Sequence, residues 1–93
     1  METPQARLKR LKMRSMRRGI KEMDIVLEAY ADDRLAVMSD AELSLYDALL
    51  HENDQDLLTW VTGQVAAPAD YSALVADITQ HALQPKGGKT PAS

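Results

Sequence analysis

The sequence has no cysteine and no phenylalanine, and its 93 residues include only four glycines, four prolines, three tyrosines and one tryptophan. Without cysteine there are no disulfides, no thiol catalysis and none of the usual structural zinc sites, which suits a reducing compartment. Two histidines far apart in sequence make a buried metal cage unexpected. So little glycine and proline leaves small scope for a phosphate-cradling loop or a β-rich fold. No apolar run approaches the roughly 20 residues of a membrane span, so membrane insertion is not expected. The length suits one small domain and no more. At this size folding removes about 60–65% of the unfolded chain's accessible surface, so the core is thin. Hydrophobic residues at 45% and charged residues at 27% are ordinary for a globular protein and exclude collagen-like and disordered classes.

A net charge of −3 conceals a strong asymmetry. Residues 1–22 carry eight basic groups against two acidic ones, a net of +6. Residues 23–93 carry three basic groups against twelve acidic ones, a net of −9. A basic end of this kind suits nucleic acid or an acidic partner protein. Alternatively, it packs against the acidic body and is neutralised there. No apolar segment follows the N-terminal charges as in a signal peptide, and the Arg-rich stretch runs directly into a motif belonging to the domain. The chain is therefore read as mature and cytoplasmic.

Hydrophobic spacing is helical nearly everywhere. Over residues 5–17, Leu8 and Leu11 fall on one side with Ser15 and Met16. Arg7, Arg10, Arg14, Arg17 and Lys21 line the other at steps of three and four. Gly19 interrupts this helix. A second helix begins near Ile20, with Ile20, Met23, Leu27 and Tyr30 as its stripe, and runs into a connector where Leu35 and Val37 are candidates for burial. Ser39-Asp40-Ala41-Glu42 is a capping box that starts a third helix, with Met38 and Leu43 at the staple positions. Asp54 is the expected N-cap of a fourth helix, whose face holds Leu57, Leu58, Val61 and Val65 and which Gly63 ends. Ala67-Pro68-Ala69-Asp70 opens a fifth, with Tyr71, Leu74, Val75, Ile78 and Ala82 along one side. The pattern predicts an all-α fold, a small antiparallel bundle of about five short helices. Residues 1–84 form the single domain and 85–93 a flexible C-terminal tail.

Enzymatic machinery is hard to assemble from these residues. His51 and His81 each lack an obvious orienting partner in the sequence, and no nucleophile sits on an exposing turn. Most carboxylates read as helix caps or solvated faces, Asp40, Asp54 and Asp70 among them. The chain is not expected to be an enzyme.

The most informative segment is Arg17-Arg18-Gly19-Ile20-Lys21-Glu22-Met23-Asp24. Gly19 as N-cap with Glu22 three residues on would explain both residues by helix capping alone. It would not explain two arginines beside a glycine. A small residue ringed by charges also suits close approach by another protein's backbone.

Arg18-Gly19-x-x-Glu22, preceded by Arg17 and followed by Met23-Asp24, resembles the RGxxE motif of the small succinate dehydrogenase flavinylation factors. The resemblance extends to Met38–Glu42 and to Asn53-Asp54-Gln55-Asp56-Leu57-Leu58-Thr59-Trp60, and covers about residues 6–84. Departures are mild. Gln55 stands where the family often has Pro, and Leu58 where an aromatic is common. The absence of Phe leaves Tyr30, Tyr46 and Leu58 to fill aromatic core sites.

The resemblance implies an assembly factor that promotes covalent attachment of FAD to the flavoprotein subunit of succinate dehydrogenase. A fumarate reductase flavoprotein is a related client. The factor is expected to bind no cofactor itself and to act on its partner's FAD. It would hold the client so that a His and the flavin ring are aligned. Arg17, Arg18, Gly19 and Glu22 are the expected partner-binding residues, with Asp24 orienting or extending the patch, and Trp60 is expected to be core or semi-buried support. The competing expectations are a basic-helix nucleic-acid-binding module and a generic helical adaptor. The negative overall charge and the lack of aromatics among the basic residues count against nucleic acid.

Overall fold

The computed structural model describes residues 2–16 and 18–84. Five helices follow one another: α1 (Pro4–Met16), α2 (Lys21–Arg34), α3 (Asp40–Leu50), α4 (Asp54–Val61) and α5 (Ser72–Leu83). Short 3-10 turns at Leu35–Val37 and Ala69–Tyr71 follow α2 and precede α5. There is no strand among the described residues. Helix α2 is central, packing against α1, α4 and α5. The expected tail, 85–93, lies outside the described residues.

The core follows the helical stripes. Leu11 from α1, Met23, Leu27 and Tyr30 from α2, Tyr46 and Leu49 from α3, Leu57 from α4 and Ile78 from α5 are all buried. Leu58 packs partly buried against them. Three expected members are absent: Val37 is 74% exposed, Val65 52% exposed, and Ala82 near the end of α5 is also exposed. Val37 ends the 3-10 turn, and Val65 lies beyond Gly63, where the helical register that placed it on the apolar side no longer holds. Gly63 takes φ +81°, a left-handed conformation natural to glycine, and its amide donates to the Trp60 carbonyl (3.2 Å).

The capping box of α3 forms as the residue types require. The Glu42 amide donates to Ser39 Oγ (3.1 Å), and the Ser39 amide to Glu42 Oε1 (2.8 Å). Three helix starts differ from expectation: α5 begins at Ser72, after the 3-10 turn Ala69–Tyr71, and not at Ala67–Asp70, and the caps of α2 and α4 are displaced. The N-cap of α2 is Ile20, in extended conformation and without a side-chain cap, so Gly19 lies one residue outside the helix. The N-cap of α4 is Asn53, whose side chain accepts from the Gln55 amide (2.8 Å). Asp54 is thereby left free for a longer-range partner.

One polar contact lies in the core. Ser15 is fully buried and donates to the Leu11 carbonyl (2.8 Å), so its oxygen accepts from the Tyr46 hydroxyl (2.6 Å). Burial pushes the Tyr46 phenol up to about 12. The unfolded chain releases this proton near pH 10 and the folded one near 12. Stability from this group is therefore complete below pH 10 and is lost as pH rises toward 12. Denaturant midpoints across that window should fall for the wild type and fall less for Tyr46→Phe; parallel profiles would contradict the assignment.

Candidate functional site

The arginines of α1 find partners inside the protein. Arg7 pairs with Asp40 and donates to Ser44 Oγ (2.7 Å), both on α3. Arg10 reaches Asp47 (3.0 Å) and Glu2 (2.7 Å), and its guanidinium holds both carboxyls below the usual carboxylate range. Arg14 contacts His51 Nε2 (3.3 Å). Arg18 closes the series on Asp54. Asp40, Ser44, Asp47, His51 and Asp54 are spaced by four, three, four and three residues, so they follow one side of α3 into the start of α4 as the arginines follow one side of α1. The two helices thus meet along a ladder of charge-assisted contacts. Of the basic stripe that suggested nucleic acid, Arg7, Arg10 and Arg14 are used against α3, and Arg18, which stands outside that stripe, reaches the start of α4.

The last rung is the corner between α1 and α2. Arg18 Nε lies 2.7 Å from Asp54 Oδ1, one terminal nitrogen donates to the Leu50 carbonyl (2.8 Å), and the other to the Glu52 carbonyl (3.2 Å). Its side chain is only 8% exposed. The planar five-donor guanidinium thereby satisfies the carbonyls left unpaired where α3 ends. The main chain is held as firmly. The Arg18 amide donates to Asp24 Oδ1 and the Gly19 amide to Asp54 Oδ2, both at 2.6 Å. A Cβ at position 19 would lie 3.1 Å from Asp54 Oδ2. Glycine is thus favoured by a close internal neighbour as well as by any partner, and its φ is not left-handed.

The residues expected at the site are therefore arranged unequally. Gly19 and Glu22 are exposed, with Glu22 in the first turn of α2 at the positive end of its dipole. Asp24 is half-buried and turned to the Arg18 amide. Arg18 points inward, so its charge is not presented at the surface. Arg17 lies outside the described residues. Asp54, read from sequence as a cap, belongs to this corner. Its partner lies 36 residues away, and no local pattern in the sequence signals it.

Two connections lead away from the corner. Glu52 accepts from the Tyr71 hydroxyl (3.1 Å), and Tyr71 stacks on half-buried Trp60 with ring centroids 6.1 Å apart. Trp60 also packs against the core. The opposite end of α2 holds a separate cluster. Tyr30 donates to Asp77 (2.6 Å), Arg34 pairs with the same carboxylate (3.2 Å), and His81 Nε2 lies 2.6 Å from Asp33 Oδ2. His81 therefore has the orienting partner that the sequence did not reveal. Beside this cluster is a cleft of about 390 Å³ lined by Tyr30, Arg34, Val37, Met38, Leu74 and neighbours. It stands about 20 Å along α2 from Gly19, given the 14-residue helix. Among the described residues no group of three or more His, Asp or Glu side chains could hold a metal ion, and no helix is long and apolar enough to cross a membrane.

The chain is a small all-helical bundle with a charged corner centred on Gly19. The chain belongs to the family described as flavinator of succinate dehydrogenase, whose model matches residues 9–82. It is similar to the mitochondrial succinate dehydrogenase assembly factor 2 of Schizosaccharomyces pombe, at 40% identity over 77% of this chain and 52% of the relative. It is also similar to the protein of the same name from Schizosaccharomyces japonicus, at 36% identity over 94% of this chain and 62% of the relative. The corresponding Candida glabrata protein is 47% identical over 57% of this chain and 35% of the relative. The chain thus spans about half the length of the curated relatives it matches.

Proposed function

We propose that this chain is a chaperone-like assembly factor that binds the flavoprotein subunit of succinate dehydrogenase and promotes covalent attachment of FAD to it. It supplies no catalytic residue and holds no flavin of its own. The observation that carries this reading is the Arg18–Gly19–Glu22 corner: glycine main chain and a carboxylate lie exposed together, held by internal contacts, in a chain of this family. The flavin ring must become electrophilic at its methyl carbon while a client histidine stands within attack distance. A factor lowers that barrier by holding client segments in place, so the chemistry stays with the cofactor and client.

On this reading Gly19 allows close backbone approach, and Glu22 makes a charge-assisted hydrogen bond to a client cation. Arg18 and Asp24 hold the corner from within, and Arg17 is a further partner-binding residue. A cysteine-free chain suits the cytoplasm, the location proposed here; cell fractionation distinguishes it from the mitochondrial address carried in the relatives' names.

The test is complementation of a strain lacking its native factor, read by in-gel fluorescence of covalently bound flavin. The wild-type chain should restore fluorescence of the flavoprotein band. Glu22→Ala should lower that signal at least ~10-fold, as for loss of a charged hydrogen bond at an interface centre. Full fluorescence with Glu22→Ala removes this patch from the function.

A further inference from the structure

We propose that Asp54 is the positioning residue of the docking corner. It locks Arg18 and Gly19 into one conformation, so that a partner meets the Gly19 main chain and Glu22 while the Arg18 guanidinium stays withdrawn. This rests on the reading of the corner as the docking element.

Three observations carry the assignment. First, the two carboxylate oxygens of Asp54 are divided between adjacent residues, Oδ1 to the Arg18 side chain and Oδ2 to the Gly19 amide. One side chain thus fixes both a rotamer and a backbone position. Second, Gly19 lies between helices and outside the hydrogen-bonded ladder of α2, so its amide has no helical carbonyl to hold it. Glycine has the largest conformational freedom to lose on ordering, and Asp54 removes that freedom in advance. Third, the space above Gly19 is taken by the same oxygen, 3.1 Å from where a Cβ would stand. The glycine and the aspartate are therefore interdependent. Asp54 is brought there by the α3–α4 connection, whose Leu50 and Glu52 carbonyls bind the same guanidinium. The corner's shape is set by a segment 35 residues away.

The experiment compares full-length wild type, Asp54→Ala, Asp54→Asn, Gly19→Ala and the double variant Gly19→Ala/Asp54→Ala. Three quantities are read: helical content, the chemical shift and hydrogen-exchange protection of the Gly19 amide, and affinity for the purified flavoprotein subunit. In Asp54→Ala the Gly19 amide should lose its protection and its carboxylate-bonded shift, and affinity should fall about tenfold with helical content retained, the scale expected when one backbone unit must be ordered on binding. Gly19→Ala should weaken binding in the wild-type background and weaken it less in the Asp54→Ala background, where the crowding oxygen is gone and only the contact with the partner remains to be disturbed.

A merely structural aspartate would lower thermal stability while leaving the affinity of the folded protein intact, and that result overturns the proposal. So does full additivity of the two substitutions, which would mean that each side chain contributes to binding independently. Should Asp54→Ala fail to fold, Asp54→Asn decides. It keeps the shape but replaces one of the two acceptors with a donor, and wild-type affinity with an unchanged Gly19 amide would refute the assignment. If wild-type protein binds no flavoprotein, the docking reading fails; the amide measurements still report separately whether Asp54 holds the corner.

Discussion

Gly19→Arg should leave a folded helical bundle that no longer binds the flavoprotein subunit. The residue is exposed and its φ is not left-handed, so backbone strain does not oppose a side chain. The new Cβ meets Asp54 Oδ2 at 3.1 Å, a contact relieved by a shift of a few tenths of an ångström. Beyond the Cβ, the long cationic side chain must leave through the surface proposed for the partner's approach. There it adds bulk and positive charge where only backbone stood, the repulsive element that most efficiently abolishes a specific contact. The expected loss of affinity is at least ~30-fold, the 2 kcal/mol of a dominant interface position. Titration calorimetry with the flavoprotein subunit measures it, and circular dichroism checks the fold. Retention of wild-type affinity would place the interface on another face of the bundle.

Arg18→Lys should destabilise the protein by about 2–3 kcal/mol despite conserving charge. The guanidinium serves one carboxylate and two carbonyls in a single plane, with its side chain 8% exposed and Asp54 21% exposed. An ammonium group is a compact, strongly hydrated charge and cannot span three acceptors set around a flat fork. It leaves at least one carbonyl at the end of α3 without a donor, in a place where water reaches poorly. For a domain of this size the change corresponds to a fall in melting temperature of roughly 10–20 °C. Urea denaturation followed by circular dichroism measures the difference. The parallel change Arg10→Lys should cost under ~1 kcal/mol, because the Arg10 side chain is 37% exposed against 8% for Arg18, so its pairs with Glu2 and Asp47 are partly screened. Equal effects of the two substitutions would contradict the distinction between an inward clasp and an outer rung.

These predictions separate two roles that sequence alone had merged. The RGxxE pattern presents Arg18, Gly19 and Glu22 as one charged patch, whereas the folded protein sends Arg18 inward and leaves Gly19 and Glu22 outside. The same sorting applies along α1. Arg7, Arg10 and Arg14 form a cationic face when α1 is drawn by itself, and they become rungs of a ladder once α3 is laid against it. The charge asymmetry of the chain is thus largely an internal complementarity.

Five helices, most of their apolar stripes, the capping box at Ser39–Glu42, the stop at Gly63 and the motif around Gly19 were legible in the residues, because each depends on interactions within about one helical turn; Val37, Val65, Ala82 and the start of α5 were not. Local pattern misplaced the caps of α2 and α4 by one residue, since Asn53 and Asp54 are both competent caps and only one can occupy the position. Tertiary structure alone decided that Asp54 holds Gly19, that His81 meets Asp33, and that Arg7, Arg10 and Arg14 face α3. The physical reason is that periodicity specifies which side chains share a face. Which faces meet, and in what register, follows only when the apolar stripes of all five helices are buried together.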